Sequence, residues 1–111
     1  MVDSKLPDIA GGAVASTPAP RFAESTVQVD TARVRVTEWR FAPGAQTGHH
    51  VHAHDYVVVP LTSGRLRLEE PEGVREVDLQ AGSSYAREAG VAHNVINAND
   101  YPFRFIEVEL R

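Results

Sequence analysis

Cysteine is absent from the 111 residues. That excludes a disulfide framework, a cysteine nucleophile and every thiolate ligand, so a transition-metal site here has only histidine, carboxylate and water to draw on. No apolar run is long enough to cross a bilayer as a helix, and the first thirty residues lack the basic start and apolar stretch of a secretory leader. The expectation is a soluble cytoplasmic protein with no membrane partner. Positive charge is scarce too: 11 Lys+Arg face 15 Asp+Glu, a net charge of -4. This argues against nucleic acid as a partner and leaves small molecules or proteins. Helical stripes are also missing, because no stretch of the body carries apolar residues at a 3.6-residue period over the length a helix needs.

What is there is a series of short alternating segments. A chain of 111 residues and 12.1 kDa suits one domain with one core. The start mixes Pro, Gly, Ala, Ser and Thr without periodicity (Gly11-Gly12, Pro18-Ala19-Pro20) and reads as a flexible arm over residues 1–24, with a barrel over 25–111. Strands are expected at Thr26 to Asp30, Val34 to Phe41, His50 to Val59, Arg65 to Glu70, Val74 to Leu79, Ser84 to Arg87, His93 to Asn97 and Phe103 to Glu109. Turn residues such as Pro43-Gly44, Ser63-Gly64 and Ala89-Gly90 fill the gaps. The fold class is all-β, a closed barrel or two-sheet jelly roll. Leu66 and Leu68 alternate with Arg65 and Arg67, giving that strand one dry face and one wet face. In the last segment the apolar parity switches from Phe103 and Phe105 to Ile106, Val108 and Leu110, as a bulge or burial on both faces would require.

Four of the five histidines lie within His49-His50-Val51-His52-Ala53-His54. On a strand, residues i and i+2 share a face about 6.5–7 Å apart, so two imidazoles there can close on one ion, whereas three in a row span about 13 Å and cannot. The segment supplies two ligands, and a third must come from elsewhere. The remaining histidine, His93, follows a glycine turn and opens a strand. Two ligands from one strand and one from another leave coordination positions open, as a catalytic metal needs.

The spacing resembles the cupin superfamily, whose first motif is a glycine, five residues, His-x-His, three or four residues, a glutamate, six residues and a glycine. This chain has Gly44, His50, His52 and Gly64 at those places. The second motif is a glycine, five residues, Pro-x-Gly, two residues, a histidine, three residues and an asparagine. Gly82, Gly90, His93 and Asn97 match it, with Glu88 in place of the proline. The glutamate position falls on Tyr56 or Val57, neither a carboxylate, and Asp55 has the wrong parity. The resemblance therefore implies a double-stranded β-helix (jelly-roll barrel) and a three-histidine site of His50, His52 and His93. It also implies a divalent transition metal, Fe(II) ahead of Ni, Cu, Mn or Zn, and a homodimer. The run Asp55 to Leu61 is similar to one in a subgroup of small single-domain cupins that includes proteins associated with β-alanine degradation.

Around that site, His54 continues the parity of His50 and His52 and reads either as a further site residue or as packing, while His49 points the other way. Tyr56 shares the inward parity and is a candidate hydrogen-bond donor to substrate or dioxygen. Arg87, on one face with Tyr85, is a candidate to hold a substrate carboxylate, or else forms a salt bridge at the barrel rim. Trp39, Phe41, Phe103 and Phe105 read as core or subunit contacts. Two functions fit: a metal-dependent, dioxygenase-like enzyme acting on a small anionic substrate, or a non-catalytic binding module with a structural metal.

Overall fold

The computed structural model describes residues 21–111. The expected arm therefore lies outside the described residues except for residues 21–24, where Ala23 N–H donates to Gln46 C=O at 2.8 Å. Nine strands follow: β1 (Glu24–Asp30), β2 (Val34–Phe41), β3 (His50–Val51), β4 (Asp55–Pro60), β5 (Gly64–Glu70), β6 (Gly73–Leu79), β7 (Tyr85–Arg87), β8 (Ala92–Asn97) and β9 (Phe103–Leu110). No helix occurs among the described residues, so none is available there to cross a membrane. All named pairings are antiparallel, in two sheets ordered β1-β2-β9-β4-β7 and β3-β8-β5-β6. This is the jelly-roll architecture that the short, evenly spaced strands called for.

Phe41, Leu66, Leu68, Val58, Val95, Phe103 and Phe105 fill the space between the sheets. Leu66 and Leu68 face inward while Arg65 and Arg67 stay exposed, as their alternation required. Seven of the eight expected strands appear within two residues of their expected ends. The eighth, His50 to Val59, is divided: β3 pairs with β8 in one sheet, and β4 pairs with β7 and β9 in the other. The bend at Ala53–His54 carries the chain around the corner between sheets, so parity counted from His50 ends at His52.

The last strand also differs from expectation. β9 pairs with β2 without a register shift, from Phe41↔Phe103 to Val34↔Leu110, so the apolar switch is not a bulge. Instead its inner face changes character, running Phe103, Phe105, Glu107, while Ile106, Val108 and Leu110 point outward. Val57 and Val59 of β4 and Val34 and Val36 of β2 are their cross-strand partners on that outer face. The result is an aliphatic outer surface that is only partly buried, with Leu110 47% exposed.

Two positions of the spacing motifs have structural roles. Asn97, 2% exposed, donates to the carbonyls of Phe41, Ala42 and Tyr101 and so ties β8 to the end of β2 and to the loop before β9. Gly64 is crowded: a Cβ there would lie 2.7 Å from the Tyr101 hydroxyl and 2.8 Å from the Asn99 amide, which accounts for glycine at that site.

Candidate metal centre

β3 and β8 set His50 directly opposite His93, so their side chains share the inner face of the sheet. Beyond the end of β3 the backbone stays on the same edge, because His52 N–H donates to Val91 C=O at 2.9 Å and Gly90 N–H donates to His52 C=O at 2.8 Å. Gly90 makes that turn with φ +98°, a conformation that costs a residue with a Cβ dearly. His52 therefore keeps the parity of His50, and the three rings converge. His52 Nε2 lies 3.0 Å from His50 Nε2 and 3.1 Å from His93 Nε2. Among the described residues these three form a group able to hold a metal ion.

The far sides of two rings explain why the Nε2 atoms face inward. His50 Nδ1 is 2.8 Å from the Gly48 carbonyl, which only accepts, so Nδ1 carries the proton and Nε2 is left with its lone pair. His52 Nδ1 faces the Glu107 carboxylate at 3.6 Å. His93 Nδ1 is buried with no partner among the described residues. Burial, then the repulsion that a protonated His50 would add and the Arg87 guanidinium, lowers the His52 imidazole from 6.5 to about 4. Burial, then His50, His52 and Arg87, lowers His93 to about 4 as well. Both rings are thus neutral at physiological pH, the state that binds metal.

A cavity opens from the histidines into the barrel, walled by Trp39, Tyr56, Tyr85, Arg87, Phe105 and Glu107 among others. The cavity is small, about 30 Å³, room for roughly two or three waters beside the histidines. Tyr56 is 3% exposed and its ring stacks on His52 at 3.8 Å between centroids. Its hydroxyl is buried without a partner among the described residues, and desolvation pushes its pKa up to about 12, so it remains a donor. Arg87 is the cross-strand partner of Tyr56; it lines the cavity and reaches Glu70 at 3.7 Å, the salt bridge expected of it. Glu70 is gripped more tightly by Arg75, at 2.7 and 3.2 Å. The Arg87 charge is consequently only partly matched.

The other histidines stand apart. His54 Nε2 meets Glu109 at 3.6 Å with its side chain 41% exposed, and His49 meets Glu69 at 3.5 Å on the surface. Neither belongs to the converging group. Asp55 instead accepts from Ala89 N–H at 2.8 Å, bracing the turn that leads to His93. Glu107 is the site residue that sequence reasoning missed. A carboxylate continuing the inward parity of Phe103 and Phe105 was the available signal. Trp39, read as core or subunit contact, holds that carboxylate through Nε1–H at 3.1 Å.

A family model described as a cupin domain matches residues 37–109, a span that takes in both spacing motifs and all three converging histidines. The chain belongs to the cupin family. This cupin is 64% identical over 86 residues to the beta-alanine degradation protein BauB of Pseudomonas aeruginosa, covering 78% of this chain and 90% of that relative. Among solved structures it is similar to a cupin domain from Bordetella pertussis Tohama I, with a TM-score of 0.84 and 53% identity over 86% of this chain and 99% of that one. It also resembles a conserved protein with a double-stranded β-helix domain from Klebsiella pneumoniae, with a TM-score of 0.68 and 25% identity over 85% and 81% of the two chains.

Proposed function

We propose that this cupin is a metal-dependent enzyme, dioxygenase-like, acting on a small anionic organic substrate, with Fe(II) the first candidate ion. The observation that carries this reading is the convergence of three Nε2 atoms, two of them 3.0 and 3.1 Å from a third, with the His52 and His93 rings kept neutral by burial. Lone pairs aimed at one point repel unless a cation lies between them. A divalent ion held by three neutral imidazoles keeps its full charge, polarises what it binds and favours an anionic or chelating partner.

The protein's own groups complete the site. Arg87 receives a substrate carboxylate with its unmatched face, and Tyr56 donates its hydroxyl to a neighbouring oxygen. The Leu66, Leu68, Val58 and Val95 side chains exclude bulk water from the inner wall. The similarity to BauB directs the choice of substrate toward short carboxylic acids of the kind that β-alanine degradation handles. A homodimer built on the aliphatic outer surface belongs to the same proposal.

Reconstitution with Fe(II) under anaerobic conditions is expected to load one ion per chain, and His93→Ala to abolish stoichiometric loading. Oxygen uptake with a panel of short carboxylates, β-alanine derivatives and diketones then separates catalysis from binding. Turnover dependent on the loaded ion supports the enzyme. Saturable binding of a panel member with no oxygen uptake or product would establish the non-catalytic module instead. Failure of the wild type to bind any transition metal would remove the site itself.

A further inference from the structure

The cupin glutamate position is occupied by Tyr56 or Val57, yet one carboxylate does reach the histidines, from the opposite sheet. Glu107 on β9 lies 3.6 Å from His52 Nδ1, on the side of the ring away from the point where the three Nε2 atoms meet. It is therefore placed behind a ligand rather than among the ligands. Its side chain is only 16% exposed, and Trp39 Nε1–H fixes one carboxylate oxygen at 3.1 Å while the other oxygen faces the imidazole. Two oxygens with two separate tasks define the orientation of the carboxylate, and the carboxylate in turn defines that of the ring.

Building on the three-histidine reading of the site, we infer that Glu107 is the positioning residue for His52. At 3.6 Å the carboxylate stands just outside hydrogen-bond distance of Nδ1; on closing that gap in its ionised form it holds the proton on Nδ1, leaves the Nε2 lone pair directed at the ion, and draws charge through the ring to make it a stronger ligand. The need for such a group is specific to His52. His50 already has its Nδ1 proton fixed by the Gly48 carbonyl at 2.8 Å, whereas His52 stands beyond the end of β3, and among the described residues no backbone carbonyl hydrogen-bonds its Nδ1. Tyr56, stacked on the His52 ring at 3.8 Å, limits its tilt but offers no hydrogen bond in the ring plane. A carboxylate–histidine pair of this kind typically contributes about 10–100-fold to metal affinity.

The test uses Co(II) alone as the probe, its affinity measured by competition with a chromophoric chelator, beside ¹⁵N spectra that report the imidazole tautomers of the metal-free protein. In the wild type His52 is expected as the Nδ1–H tautomer. Glu107→Met should lower Co(II) affinity by about 10–100-fold and shift the His52 tautomer balance while leaving His50 unchanged. Glu107→Gln, which retains an acceptor oxygen, should recover part of both. Trp39→Phe, which leaves the carboxylate in place but unanchored, should give a smaller loss, and combining it with Glu107→Met should add nothing further. A general structural role for Glu107 would disturb both histidines alike and show no recovery in the Gln variant. Wild-type affinity and an unchanged His52 tautomer in Glu107→Met would overturn the inference, as would Nε2–H His52 in the wild type. Absence of Co(II) binding in the wild type itself would instead remove the metal site on which the inference rests, a result distinct from any of these.

Discussion

A neutral imidazole buried at its ordinary cost becomes a liability once the solvent supplies protons. His52 and His93 titrate at about 4 in the folded protein against 6.5 for an unperturbed histidine. Between those values the unfolded chain binds more protons than the native one. Stability of the metal-free protein is therefore complete above about pH 6.5 and declines as pH falls toward 4. A loss of about 2–3 kcal/mol for each of the two rings is expected between pH 7.5 and pH 4.5, read from urea midpoints in the presence of a chelator. Equal midpoints at the two pH values would mean that the rings are solvated rather than buried. His54→Ala is expected to leave Co(II) affinity within a factor of about two, since its ring meets Glu109 outside the converging group. At this scale the ligands were legible because each motif fixes a spacing, and spacing on a strand fixes a face. The role of Glu107 was not. A carboxylate on the last strand acquires its meaning only from a histidine brought to it by the packing of one sheet on the other.

Strands follow from alternation and turn residues, and both are local, so β2, β5 and β6 stood close to where their side-chain patterns put them. A corner between sheets is not local. Nothing in His50 to Val59 shows that the chain changes neighbours at Ala53, because both halves are extended and rich in residues suited to strands. The same contrast makes a prediction for the glycines at the ends of elements. Gly64→Ala is expected to destabilise by about 1–3 kcal/mol, since its Cβ would meet the Tyr101 hydroxyl at 2.7 Å and both must shift. Gly44→Ala, with φ +77° and open space around it, should cost about 1–2 kcal/mol from backbone strain alone. Truncating the obstacle separates the two causes: in a Tyr101→Ala, Asn99→Ala background the Gly64→Ala penalty should shrink and that of Gly44→Ala should not. Unchanged penalties at Gly64 would place the cause in its backbone.

At the scale of the whole molecule, the outer side of the five-stranded sheet carries aliphatic residues that are only partly buried among the described residues. Val34, Val36, Val57, Val59, Ile106 and Val108 form contiguous cross-strand pairs there, facing away from the core that the phenylalanines fill. A sheet face of β-branched residues suits a second identical face related by a two-fold axis, provided that about 800 Å² per chain is covered. Sedimentation is expected to show a dimer, and Val57→Arg with Val108→Arg to give a folded monomer. Val74→Arg, at a 63% exposed position on β6 of the other sheet, should leave the dimer intact. A wild-type monomer at high concentration would dismiss this use of the face. The order of strands within that sheet has a different consequence. β9, the last strand of the chain, lies between β2 and β4 and not at an edge. The barrel therefore cannot close around the three histidines until β9 has entered between its two neighbours, because Phe105, Glu107 and the backbone partners of β2 and β4 all come from that strand. Short of that insertion the chain can present loose imidazoles to any passing ion, whereas the shaped cavity comes only with the strand that joins the two halves of the sheet.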